Sequence, residues 1–181
     1  MLNFNIHYLN SDVPKLEAFN GNWIDLRCIE LKVTRAETGE VETYTGDWET
    51  VSYEKGDVLF VNFGFSLDMT DTVTGEDYVA NIYPRSSLFK NFGLILTNHV
   101  GCIDNSYKGT TDYWRGMLVA MRSGEVSKYD RLCQFEIKKP QPKITLAAYS
   151  SISFATNSVC FLALLRLLPA VMLLSSMPRC E

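Results

Sequence analysis

The sequence predicts an all-β domain of barrel or jelly-roll type over roughly its first 138 residues. Three observations carry this. Short apolar runs alternate with polar residues or are rich in Val, Ile, Phe and Tyr. Turn residues separate them at intervals of about 8–12 positions, as in sandwiches and barrels. No long helical periodicity occurs before residue 150.

Residues 4–9 alternate as a half-buried strand should, and residues 23–33 read as one or two strands. Residues 34–49 are polar, contain Gly39 and Gly46, and are expected as a hairpin or mobile loop. Residues 57–63 form a buried strand; 66–76 are expected as a second polar loop. Residues 79–83 make a strand stopped by Pro84. Residues 86–92 suit one or two helical turns closed by Gly93, whose missing side chain permits the left-handed stop. Short apolar runs follow at 94–96 and 101–103, and strands at 117–122 and 131–137. There is no internal repeat.

The chain has 181 residues and a formal net charge of −4, which argues against a nucleic-acid partner. The charge is unevenly spread. Residues 1–143 carry 15 basic and 20 acidic side chains, whereas 144–181 carry only Arg166, Arg179 and Glu181. We therefore expect a β domain over 1–143 and a separate hydrophobic tail over 144–181. The N-terminus lacks the charged start and apolar run of a signal peptide. Five cysteines with no C-x-x-C pair argue against zinc-ribbon and thioredoxin-type sites and fit a reducing cytoplasm. Cys102 and Cys133 are expected as small core residues. H-E-x-x-H, G-x-S-x-G and P-loop patterns do not occur. Carboxylates, hydroxyls and backbone groups must carry any chemistry.

Four segments combine such groups with flanking apolar strand. They are Trp23-Ile24-Asp25-Leu26-Arg27, Tyr83-Pro84-Arg85-Ser86-Ser87-Leu88, the stretch from Asn98 through Gly101, Ile103, Asp104 and Tyr107 to Gly109, and Asp130-Arg131-Leu132-Cys133-Gln134. Each also has an ordinary reading. Asp25 could face solvent, Ser86 could cap a helical turn, the third segment could be a plain tight hairpin, and Asp130-Arg131 could be a surface ion pair. Together they converge on a phosphorylated ligand. Arg85 and the hydroxyls of Ser86 and Ser87 suit phosphate oxygens, Gln134 adds a neutral donor, and Asp25 could hold magnesium through its water shell. Asp104 lies on a turn where Gly101 and Gly109 let backbone approach a ligand, and Tyr107 is near enough to wall a sugar.

These segments resemble, in order, the first four motifs of the homotrimeric dUTP pyrophosphatases (dUTPases). Pro84-Arg85-Ser86-Ser87-Leu88 and Gly101-Cys102-Ile103-Asp104-Asn105-Ser106-Tyr107-Lys108-Gly109 match most closely, as does the gap between them containing Gly93 and Asn98. Tyr107-Lys108-Gly109 with Asp112 and Trp114 resembles a bacterial and phage branch. The match covers roughly residues 20–138. The resemblance implies a distorted jelly roll and magnesium-dependent hydrolysis of dUTP to dUMP and pyrophosphate. It implies a homotrimer with shared active sites, in the cytoplasm of a bacterium or encoded by a phage. It gives Asp104 the activation of the attacking water and contact with the sugar 3′-hydroxyl. Tyr107 would pack on deoxyribose, and Asn98, Gly101 and Ile103 would belong to the hairpin that reads uracil. Arg85, Ser86, Ser87 and Gln134 would contact phosphates, and Asp25 would lie near magnesium.

Two other readings share this fold: a non-catalytic dUTP-binding or regulatory module, and a dCTP deaminase. The deaminases carry a glutamate in a Thr-Leu-Glu-like segment after the third motif; here Gly109 is followed by Thr110-Thr111-Asp112-Tyr113-Trp114. The family's fifth motif, a Gly-rich, Arg-containing closing arm, should follow the last core strand, yet no glycine occurs after Gly124. Residues 159–174 form instead an apolar run broken by Arg166 and Pro169. This is short of the ~20 residues of a spanning helix and argues against membrane contact. The tail reads as a frameshifted or mis-assigned C-terminus, and turnover is expected to be impaired.

Overall fold

The computed structural model describes residues 1–17 and 23–146. Met1–Gln141 forms one compact unit. The apolar run at 159–174 lies outside the described residues, and among these no helix is long and apolar enough to cross a membrane.

Thirteen strands and one short helix make up the described residues. In chain order the strands begin with β1 (Asn5–Tyr8), β2 (Ile24–Arg27), β3 (Glu30–Thr34), β4 (Val41–Tyr44), β5 (Thr50–Tyr53) and β6 (Val58–Asn62). Next come β7 (Phe65–Asp68), β8 (Val79–Pro84), the helix α1 (Leu88–Phe92) and β9 (Leu94–Leu96). The chain continues through β10 (Gly101–Ile103), β11 (Arg115–Ala120), β12 (Gly124–Ser127) and β13 (Arg131–Lys138). A five-stranded sheet has the order β4-β3-β6-β11-β9 and a four-stranded sheet the order β10-β8-β13-β2. β1 pairs with β7 and β12 with β5. This is the all-β architecture expected from the spacing of turns.

Alternation decides what each strand buries. In β3, Leu31 and Val33 are buried while Lys32 and Thr34 are exposed. The inward residues of both main sheets merge into one core, including Leu26, Leu59, Val61, Ile82, Leu118 and Phe135. An aromatic trio anchors it. The Trp114 ring lies 5.1 Å from Phe65 and 5.0 Å from Phe135, the second contact edge to face. Truncating a buried ring of this size typically costs about 3–5 kcal/mol.

Residues 34–49 form the expected hairpin, β4 pairing with β3 and Thr34 lying opposite Val41. Elsewhere the structure departs from the expectations in three places. The supposed loop 66–76 begins inside β7, whose Phe65, Ser66 and Leu67 are buried against β1. Its serine and aspartate suggested a loop, and long-range pairing overrode them. β5 and β12 were not expected, and each is stable only as the other's partner. Cys133 is buried as expected, but Cys102 is exposed. It alternates with Gly101 and Ile103 on an edge strand, so its thiol takes the outer face.

Gly93 closes α1 with φ of 67°, as expected. The residue entering α1 is Ser87, not Ser86, and its hydroxyl makes no capping bond.

At the edge of the five-stranded sheet, Arg35 ties β4 to the turn between β5 and β6. Its Nε and Nη2 each donate to Glu42 at 2.7 Å, and Nη1 donates to buried Asp57 at 2.9 Å. This pairing, with the Tyr44 hydroxyl, holds the Glu42 carboxyl at about 2, down from 4.5. Because the folded value is depressed, the stabilisation is complete above about 4.5 and disappears as pH falls toward about 2. Thermal unfolding followed across this window should show the wild-type chain losing melting temperature on acidification. Glu42→Gln should give a visibly flatter profile.

Candidate active site

The four-stranded sheet positions every residue singled out by sequence. β8 runs through its middle and pairs with β10 on one side and β13 on the other. Ala80 faces Ile103 of β10 and Ile137 of β13; at the other end Tyr83 faces Gln134. Gln134 also faces Asp25 of β2, so Asp25, Gln134 and Tyr83 share one face.

At the C-terminal end of β8 lies a charge cluster. Arg85 Nε pairs with Asp25 Oδ1 at 2.9 Å, and Arg131 Nη1 pairs with Asp25 Oδ2 at 3.2 Å. Arg85 Nη1 also donates to the Arg131 carbonyl at 3.4 Å. A register shift between Arg131 and Cys133 separates their pairing to β2 and leaves Arg131 exposed while Leu132 and Cys133 are buried. Arg131 therefore does not pair with its neighbour in sequence. Asp130 instead accepts the Ser127 N–H at 2.8 Å and closes the β12–β13 turn. One carboxylate thus aligns two guanidinium groups and leaves a net positive charge. Among the described residues, Arg85 Nη2, the Gln134 amide and the N–H groups of Ser86 and Ser87 make no hydrogen bond. They are donors with unspent capacity beside that charge, a combination that suits a polyphosphate.

Toward the opposite end of β8 lies an open depression of about 490 Å3, lined by Cys102, Ile103, Asp104, Ser106, Tyr107, Phe60 and Arg115. Asp104 follows β10 directly and folds into a tight turn. Its Oδ1 accepts the Ser106 N–H at 2.9 Å, and its carbonyl accepts the Tyr107 N–H at 3.0 Å. Hydrogen bonding from the Ser106 hydroxyl and then its N–H holds the Asp104 carboxyl below the usual carboxylate range. The Tyr107 hydroxyl donates to the Tyr113 carbonyl at 3.2 Å. Gly101 is needed for close packing, since a Cβ there would lie 3.2 Å from Ile82 Cβ and 3.8 Å from Asn98 Nδ2. Asn98 is exposed at the turn entering β10, with His99 beside it at φ of 57°.

Within one chain these two groups stand apart. Ala80, opposite Ile103, precedes Arg85 by five residues, and at ~3.3 Å per residue the separation is on the order of 17 Å. Asp104, Tyr107 and Ile103 come together around the depression, whereas Gly101 lies opposite Ile82 and Asn98 lies further toward the Arg85 end of β8, beside His99, which shares a second depression with Arg85 and Ser86. Arg85, Ser86 and Ser87 come together with Asp25 and Gln134. Arg131, Arg115 and Phe60 were not singled out by sequence. Arg131 stands in the fourth segment, where its one suggested contact is a surface ion pair with Asp130. Phe60 comes from the other sheet, which local sequence cannot reveal.

As for metals, both Asp25 oxygens are engaged by arginines, and the described residues contain no cluster of three His, Cys, Asp or Glu side chains fit to hold one. A resident metal cage does not fit these residues. A cation arriving on a polyphosphate does, because magnesium keeps several waters and takes few protein ligands.

No family model matches the chain. Over 142 residues it is 34% identical to the SPbeta prophage-derived deoxyuridine 5'-triphosphate nucleotidohydrolase YosS of Bacillus subtilis (strain 168), covering 78% of this chain and 83% of that protein. The dUTPase of Streptococcus mutans has a similar fold, with a TM-score of 0.52 and 20% identity, covering 80% of this chain and 98% of that one. A mutant dUTPase from phage phi11 of S. aureus, described with a structural Mg(II) ion, gives a TM-score of 0.56 at 12% identity, covering 82% and 98%. The structural likenesses speak for the fold; the 34% relative speaks for the family.

The Ser106 contact has a measurable consequence. Whatever work the Asp104 carboxylate does, its protonation should occur below the usual carboxylate range. Ser106→Ala removes the hydroxyl and should raise that value. The acid limb of a pH–kcat/KM profile should then move to higher pH, with the neutral plateau little changed.

Proposed function

Because the chain belongs to the deoxyuridine 5'-triphosphate nucleotidohydrolase (dUTPase) family, we propose that it hydrolyses dUTP to dUMP and pyrophosphate with Asp104 as base, at sites completed by neighbouring copies of itself. The observation that carries the shared-site reading is the separation of the Asp104 depression from the Arg85 cluster along β8. A nucleoside triphosphate has its base and sugar at one end and its phosphates at the other. The Asp104 depression suits the first and the arginine cluster the second, but a single chain does not bring them together. A second copy, placing its Arg85 end against this depression, supplies the missing half; a head-to-tail contact of this kind can close into a ring, and the family resemblance makes that ring a trimer.

In this reading Asn98, Gly101 and Ile103 form the edge that reads uracil, where a wrong base would leave buried donors and acceptors unpaired. Tyr107 walls the deoxyribose. Asp104 takes a proton from the attacking water, which adds to the α-phosphorus as the bond to the pyrophosphate oxygen breaks. Arg85, Gln134 and the Ser86 and Ser87 hydroxyl and N–H groups neutralise and orient the phosphates. Phosphoryl transfer of this kind depends on positioning and charge neutralisation more than on covalent catalysis. Magnesium enters as part of the substrate, screening the triphosphate, and Asp25 meets it through water.

Mixing two inactive variants tests the shared site. Asp104→Asn alone should lower kcat by about 10²–10⁴, and Arg85→Ala alone should weaken turnover severely. Co-refolded mixtures should regain activity, since an Asp104 and an Arg85 from different chains can meet. Mixtures as dead as either variant would place each site within one chain.

Residues 1–143 form the catalytic domain in this reading, and residues 144–181 replace the closing arm. The full chain should then bind dUTP better than it hydrolyses it. In one steady-state assay, chelating magnesium should stop turnover, and grafting a Gly-rich, Arg-containing arm after Lys143 should raise it. Family-like rates from the ungrafted chain would refute the arm's absence as a handicap.

A further inference from the structure

Residues 104–113 leave β10 and return to β11, carrying Asp104 and Tyr107. Nearly all their hydrogen bonds are local. Beyond the Asp104 turn, Gly109 N–H donates to Asp112 Oδ2 at 2.8 Å, Asp112 N–H donates to the Gly109 carbonyl at 2.9 Å, and Tyr113 N–H donates to the Thr111 carbonyl at 2.8 Å. Asp104, Ser106 and Tyr107 are exposed, so core packing does not hold them.

Among the described residues, one side chain makes a polar contact from this segment to another element. Lys108 Nζ donates to Thr70 Oγ1 at 3.0 Å and pairs with Asp68 Oδ1 at 3.5 Å. The receiving end is well fixed. Asp68 closes β7 opposite Asn5 of β1 and accepts the Thr70 N–H at 3.0 Å. Thr70 Oγ1 in turn donates to Asp77 Oδ1 at 3.0 Å. An exposed contact of this kind adds little to global stability. An excursion with few anchors of its own is another matter, because its local order depends on each of them.

We propose that Lys108 is a positioning residue for the nucleoside half of the site, tying the Asp104–Tyr107 turn to the end of β7 and so holding Tyr107 against the sugar. This rests on the dUTPase reading above. It makes selectivity between deoxyribose and ribose depend on residues that touch no nucleotide. Asp68 and Thr70 contribute only through Lys108.

The test uses the full chain and compares dUTP with UTP, by turnover and by calorimetric binding. Lys108→Met keeps the alkyl stem and removes the charge. The preference for dUTP over UTP should fall up to about five-fold, the scale of one exposed polar tie, with the melting temperature nearly unchanged. Lys108→Arg should restore it. Asp68→Asn combined with Thr70→Val should reproduce the Lys108→Met loss, and all three substitutions together should do no further harm. Loss in Lys108→Met with wild-type behaviour in the Asp68/Thr70 variant would mean that Lys108 touches the nucleotide itself, and would overturn the proposal. Unchanged selectivity in Lys108→Met would overturn it too. A wild-type chain that neither binds nor hydrolyses dUTP would defeat the functional reading and this inference with it. Normal wild-type binding with unmoved selectivity would defeat the inference alone.

Discussion

The pairing of β8 with both β10 and β13 is the constraint on which the site depends. With Ala80 opposite Ile103 and Tyr83 opposite Gln134, the Asp104 turn is fixed toward one end of β8 and the cluster of Arg85, Asp25 and Arg131 at the other. A one-residue slip on either side would turn Gln134 inward or carry Asp104 to the wrong face. The register is secured by burial, since Ala80, Ile82, Cys133 and Phe135 all lie in the core. Apolar packing under the sheet thereby sets the placement of polar chemistry at its ends.

The electrostatic problem is to bind a polyanion with an acidic protein. The solution is local. Asp25 aligns Arg85 and Arg131 side by side while cancelling only one of their two charges. Guanidinium groups held in this way lose less freedom when a phosphate arrives than free side chains would. Asp104 sits in the other group, well away from this positive charge within the same chain, and hydrogen bonding from Ser106 holds its carboxyl below the usual carboxylate range. The two carboxylates share a sequence context of apolar strand and turn, yet one aligns two cations and the other, among the described residues, pairs with none and accepts hydrogen bonds only from Ser106.

Support for the exposed turn comes from both its ends. Trp114, fully buried between Phe65 and Phe135, fixes the point where the chain re-enters the sheet. Lys108 provides the lateral tie to β7. Between them Asp104, Ser106 and Tyr107 remain exposed, as residues of a loop on a rigid scaffold commonly are.

The sequence by itself determined the all-β class, because alternation and turn spacing are local properties. It also determined the helix stop at Gly93 and the family, because Pro84-Arg85-Ser86-Ser87-Leu88 and Gly101 to Gly109 are contiguous. It placed Ser66, Leu67 and Asp68 in a loop because the partner that makes Phe65–Asp68 a strand lies some sixty residues away in β1. It offered only Asp130, the neighbour in sequence, as an ordinary partner for Arg131, whereas the β-sheet delivers Arg131 to Asp25, 106 positions distant. The exposure of Cys102, the entry of Phe60 into the Asp104 depression and the Lys108 tie were likewise decided only by tertiary structure. The physical reason is common to all of these: residue type and spacing specify which groups a segment can offer, but strand register across the sheets specifies which of them meet.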